Sequence, residues 1–107
     1  QNRRDEAVRF LAEAAMLSPR EARYRAHYGQ ALIQQSNTRR IAETELQAAL
    51  ALEPDNPAFR VMLAELYKQL GLQKRAEGEL ERALAIDPKN EAARSLLQTF
   101  RSKSQKR

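Results

Sequence analysis

Cysteine and tryptophan are absent from the 107 residues, and histidine occurs once, at His27. Without cysteine there is no disulfide framework and no thiolate metal site, although the absence fixes no compartment. Glycine appears three times and proline four, aromatics make up 6%, and the 42% hydrophobic content is mostly Ala and Leu. Few β-branched residues and few breakers predict helices. Isolated Gly29, Gly71 and Gly78 make no phosphate-cradling loop. No apolar run approaches the roughly 18 residues that a membrane span needs, and no signal peptide is visible. The length predicts one domain with a modest core.

The net charge of +5 suggests an acidic partner at first sight. Four of the surplus charges, Arg101, Lys103, Lys106 and Arg107, stand in the last seven residues with no acidic neighbour in sequence. The remainder is close to neutral. The basic signal is mostly that of a tail.

Helical spacing of apolar residues runs through 3–17, 20–35, 39–52, 57–70 and 73–86, and again from about 91. Pro19 closes the first segment; with Ser18 before it and Glu21 after, it suits the first position of a capped second helix. Gly29 inside that helix costs about 1 kcal/mol against Ala, and close approach of a neighbouring helix is the expected return. Asn37 or Thr38 is placed to cap the third helix. Pro54 stops that helix at Glu53, Asn56 caps the fourth with Pro57 at its first position, and Gly71 ends the fourth. Asp87–Asn90 repeats the turn at Glu53–Asn56.

Those turns keep a period. Pro19, Pro54 and Pro88 lie 35 and 34 residues apart. Ala14, Ala49 and Ala83 stand five before each proline, Leu11, Leu46 and Leu80 eight before, and Ala7, Ala42 and Ala76 twelve before. Small residues let a neighbouring helix come close while the leucine fills the space between. One such hairpin cannot bury its own apolar face, so copies must stack.

The pattern resembles the tetratricopeptide repeat (TPR). In residues 57–90 it is carried by Leu63 and Ala64, Tyr67, Gly71, Ala76, Leu80, Ala83 and Pro88, with Arg60 departing at the first, usually aromatic, position. In residues 22–56 it is carried by Tyr28, Gly29, Leu32, Ala42, Leu46, Ala49 and Pro54, with a turn one residue longer than standard near Ser36–Arg39. Residues 3–19 match a second helix alone, residues 91–101 a first helix closing the array, and 102–107 read as a disordered basic tail. The resemblance implies an all-α, TPR-like α-solenoid of about six helices in antiparallel pairs. Opening on Gln1, and on a second helix, predicts a piece of a longer TPR-containing protein, with a sticky apolar edge at Ala7, Val8 and Leu11 and homodimerisation through terminal repeat edges.

Catalytic chemistry finds little support in the residues. His27 has no cysteine to join it and reads as a surface residue. Glu77, Glu79 and Glu81 are spaced by two, so on a helix they point apart and form no acid–base pair; Glu43, Glu45 and Gln47 read as a solvated face. We expect no enzyme, no cofactor and no metal.

The expected function is a non-catalytic protein–protein interaction module or scaffold. The resemblance implies a concave peptide-binding face built from the first helices. Its positions here are Arg23, Ala26, His27, Gln30, Ile33 and Gln34, then Ala58, Val61, Met62, Glu65, Lys68 and Gln69, and in the last helix Ala92, Ser95 and Leu96. Val61 and Met62 could equally pack between repeats. Some family members clamp a C-terminal carboxylate with Lys and Asn; Ala26, Gln30 and Met62 hold those places here, which counts against that subtype. The alternatives are an oligomerisation or spacer domain of a multidomain protein and, third, a nucleic-acid surface. For the last, Arg39, Arg40, Lys74 and Arg75 occupy equivalent turn-proximal sites that could align as a ridge, joined by Arg3 and Arg4. Glutamates follow both pairs and no aromatics interleave. The cytoplasm is the first expectation for location, with a periplasmic or membrane-attached parent as alternatives.

Overall fold

A computed structural model describes residues 3–105 of the chain. Its contacts divide it into two compact units, Gln1–Pro54 and Asp55–Arg107.

The first unit holds α1 (Arg3–Leu17), α2 (Ala22–Leu32), a short 3-10 turn (Ser36–Thr38) and α3 (Arg39–Leu52). Asp5 and Glu6 stand in the first turn of α1, where they complement the positive helix end. Pro19 is not at the start of α2, as expected, but sits inside a tight turn closed by Glu21 N–H donating to Ser18 C=O at 3.0 Å. Proline fits the second position of such a turn, and Glu21 takes the cap position without a side-chain bond. α2 ends at Leu32, three residues earlier than expected. The freed carbonyls at its end are met from the next segment: Thr38 Oγ1 donates to Leu32 O at 2.8 Å, and Arg39 Nε donates to Ile33 O at 2.9 Å. Thr38 thus closes the helix behind it rather than capping α3, for which it makes no side-chain cap bond. α3 stops at Glu53, whose N–H still reaches Ala49 O at 2.9 Å before Pro54.

α2 and α3 pack closely because Gly29 has no side chain. A Cβ there would lie 2.9 Å from Leu46 Cγ and 3.0 Å from the Ala42 carbonyl oxygen. Ala42, Leu46 and Ala49 are fully buried, so the small–large–small pattern faces the partner helix as its spacing predicted. α1 adds only Ala15 to the buried set.

The second unit holds α4 (Pro57–Gln69), α5 (Gln73–Ile86) and α6 (Glu91–Gln105). Asn56 Oδ1 accepts from the N–H groups of Ala58 and Phe59, and Asn90 Oδ1 accepts from Ala93 N–H, so one cap serves α4 and α6 alike. α4 ends at Gly71, whose φ of 76° places it in the left-handed region. Gly71 N–H donates to Lys68 O at 3.0 Å and Leu72 N–H to Tyr67 O at 2.8 Å, the paired bonds of a Schellman ending. α4 packs on α5, with Leu63, Ala64 and Leu66 of the one and Ala76, Leu80 and Ala83 of the other fully buried; Ala93, Leu97 and Phe100 of α6 are also buried. α6 continues to Gln105, so residues 102–105 are helical where a disordered tail was expected. No breaker follows Phe100, and Arg101 is not without acidic company: its Nη2 lies 3.5 Å from Glu81 Oε2. Lys106 and Arg107 fall outside the described residues.

Candidate functional site

The first-helix residues separate by exposure. In the first unit Arg23, His27, Gln30 and Gln34 are exposed. Arg23 Nε lies 3.1 Å from Glu21 Oε2, with its guanidinium 5.2 Å from the Tyr24 ring centroid. Ala26 and Ile33, expected in the groove, are 0% and 3% exposed and offer a ligand nothing. Both side chains join the core instead. In the second unit Ala58, Glu65, Lys68 and Gln69 are exposed and Met62 is half-buried, while Val61 is buried. Val61 therefore takes the packing role that was its alternative. On α6, Ala92 and Ser95 are exposed, Leu96 is half-buried, and Ser95 edges a shallow depression with Gln98, Thr99 and Lys103.

Of the basic positions, Arg39 is half-buried and bonded to the Ile33 carbonyl. Arg40, Lys74 and Arg75 are exposed, and the Arg75 guanidinium lies over the Tyr67 ring at 5.7 Å. Arg3 and Arg4 are also exposed.

A pair of ion bridges was misread in the sequence. Arg25 Nη1 lies 3.0 Å from Glu45 Oε1 and Arg60 Nη1 lies 2.9 Å from Glu79 Oε1. All four side chains are largely covered, so Glu45 does not belong to a solvated helix face as expected, and Glu79 is covered as well. Arg60, which departs from the aromatic pattern, does so in company with Arg25. The signal was present as an Arg–Glu pair recurring in both copies.

The edge of α1 also differs in detail. Ala7 is exposed, but Val8 and Leu11 are half-buried; the large exposed apolar residues are Phe10, Met16 and Leu17, at 71%, 76% and 77%. Phe10 and Leu17 are seven apart and share a face.

Among the described residues no three His, Asp or Glu side chains gather to hold a metal ion, and no helix is long and apolar enough to cross a membrane. Paired helices with small–large–small seams define a helical-repeat scaffold, a class that binds proteins and peptides and is non-catalytic. The tetratricopeptide repeat family model matches residues 42–99, and the chain belongs to that family. No curated protein sequence matches it.

Solved structures agree on the fold. The first TPR of Spaghetti (RPAP3), bound to the HSP90 peptide SRMEEVD, superposes with a TM-score of 0.83 at 19% identity, covering 95% of this chain and 80% of that one. TTC0263, a thermophilic TPR protein of Thermus thermophilus, gives 0.80 at 32% identity, covering 90% of this chain and 48% of that one. The Yersinia enterocolitica type III secretion chaperone SycD, in complex with a peptide of the translocator YopD, gives 0.78 at 18% identity, with 94% and 82% covered.

Proposed function

We propose that this chain is an interaction module that holds a peptide or partner protein on the exposed faces of its first helices. The observation that carries the reading is the split on α2 and α4 between a buried small-residue seam and outward polar groups. His27 and Gln30 on α2, and Glu65, Lys68 and Gln69 on α4, are exposed, as is Gln34 just past the end of α2, whereas Gly29 and Ala64 beside them are buried. Polar, mixed-sign faces of this kind suit an extended or helical segment held by hydrogen bonds and a few apolar contacts. The first TPR of RPAP3 and the chaperone SycD, both similar in fold, are each solved with a bound peptide, which supports the reading by analogy of fold.

The test is selection of binding peptides from a displayed library, followed by Gln30→Ala and Lys68→Ala. Both side chains are exposed, so melting should be unchanged while affinity falls. Peptides that ignore both substitutions would refute the first-helix faces as the binding surface.

Self-association is a second reading, favoured by exposed Phe10 and Leu17 on one face of α1. Sedimentation equilibrium of the wild type and of Leu17→Asp decides it: a monomer in both removes it. A nucleic-acid role is weakened because Arg39 is engaged in closing the end of α2.

A further inference from the structure

Gly78 stands in the middle of α5, where glycine costs about 0.5–1 kcal/mol relative to alanine. The other two glycines have structural reasons: Gly29 admits Leu46, and Gly71 has a positive φ. Gly78 has neither. Its φ is not positive, and the one atom near an added Cβ would be Arg82 Nη1 at 3.5 Å, an ordinary contact. Packing would accept alanine here.

Above Gly78 lies an open depression of about 400 Å³, walled by Tyr67, Lys74, Arg75, Glu79 and Arg82. Three of those walls are cationic and one is a carboxylate. That carboxylate is engaged on both oxygens, Oε1 with Arg60 and Oε2 with Arg82 at 3.2 Å. Along the same helix Glu77 accepts from Gln73 Nε2 at 2.9 Å, and Glu81 pairs with Arg101. Lys74 and Arg75 make no ion pair among the described residues, and both are exposed. The Arg75 guanidinium is steadied over the Tyr67 ring and that of Arg82 by Glu79. Two planar donors are thus partly fixed on either side of a floor with no side chain, with Lys74 beside them. A carboxylate entering over Gly78 would meet charge-assisted donors whose ordering cost is already reduced.

We propose that this depression binds a carboxylate of an acidic peptide segment, at a site separate from the first-helix faces. Its walls include none of Ala58, Met62, Glu65, Lys68 or Gln69. An acidic peptide fits better than nucleic acid for two reasons. Tyr67 is buried and its ring is covered by Arg75, so no aromatic face is open for a base. The same helix also carries Glu77 and Glu81, whose charge opposes an extended row of phosphates, whereas one carboxylate can sit among the three cations.

The experiment titrates the full chain, ¹⁵N-labelled, with the capped peptide Glu-Glu-Asp-Glu-Glu, its all-Gln counterpart and an oligothymidylate. Expected is a saturable shift of the backbone amides of Lys74, Arg75, Gly78 and Arg82 with the acidic peptide, weakening as salt rises. Arg75→Gln and Gly78→Gln should each weaken it by about tenfold, as expected for loss of a charge-assisted contact or a filled floor; Arg40→Gln should leave it unchanged. Gly78→Ala retains the helix and should weaken binding less than Gly78→Gln, which separates a blocked floor from a folding defect. Equal binding of the all-Gln peptide, tighter binding of the oligothymidylate, or no saturable shift at these amides would each overturn the proposal.

Discussion

Arg60 Nη1 and Glu79 Oε1 are 2.9 Å apart, and the same bridge joins Arg25 and Glu45 at 3.0 Å one repeat earlier. Each ties a first helix to the second helix of its own hairpin. Glu79 is the more committed of the two carboxylates, because Arg82 holds its other oxygen.

Removing the Glu79 carboxylate leaves the largely covered Arg60 guanidinium without that partner. Glu79→Ala should therefore destabilise by about 1.5–3 kcal/mol, the range for hydrogen bonds to charged groups. The comparison is Glu81→Ala, which breaks the Glu81–Arg101 pair of two side chains about 60% exposed. Its cost should stay within about 0.5 kcal/mol, because solvent screens such pairs. Urea unfolding of both variants in low and high salt checks this; equal losses would show that the hairpin bridge contributes no more than the exposed pair.

Glycine to alanine should have opposite signs at two helical positions. At Gly29 the new methyl meets Leu46 Cγ at 2.9 Å and the Ala42 backbone oxygen at 3.0 Å, and backbone cannot move aside cheaply. The helix–helix seam must open, at about 1–3 kcal/mol. At Gly78 the methyl meets only Arg82 Nη1, at an ordinary contact distance of 3.5 Å, so the helix gains about 0.5–1 kcal/mol. Thermal melts of the two variants, shifted in opposite directions, are the expected result.

Much of this was legible in the sequence, because the repeat shows the same small–large–small choice several times over. Ala42, Leu46 and Ala49, and Ala76, Leu80 and Ala83, could be placed in a seam from spacing alone, and Gly29 could be assigned to close approach. The first-helix faces were less legible. Position in the pattern says which way a residue points, but Ala26 and Val61 show that a small or apolar side chain at such a place is covered rather than presented. Local turns were also ambiguous: Ser18, Pro19 and Glu21 spell a capping box as readily as the tight turn they form. Ion pairs between residues 19 or 20 apart require the helices to be docked first, so Glu45 reads in sequence as ordinary surface and neither pair is visible there.

The seam leucines carry the largest single contributions expected here. Leu46 and Leu80 are fully buried, each between the two alanines of its own helix. Small neighbours cannot swing in to fill a cavity, so relaxation is limited. Leu46→Ala and Leu80→Ala should each cost about 2–5 kcal/mol, read as a fall in denaturation midpoint with the slope retained. Unchanged midpoints would contradict the packing of these hairpins.

Gly71 offers a test of the turn between α4 and α5 that touches no packing, since nothing lies within 4 Å of an added Cβ. Only the backbone opposes substitution, at a φ of 76° that an L side chain disfavours. Gly71→Ala should cost about 1–2 kcal/mol. Gly71→Asn should cost less, because asparagine tolerates the left-handed region better. If the two variants melted alike, side-chain tolerance of the left-handed backbone would not be what selects glycine here. The bonds from Gly71 to Lys68 and from Leu72 to Tyr67 also set where α5 begins. Backbone amide exchange at Leu72 should therefore speed up in Gly71→Ala before any change is seen at Leu80, deep in the seam.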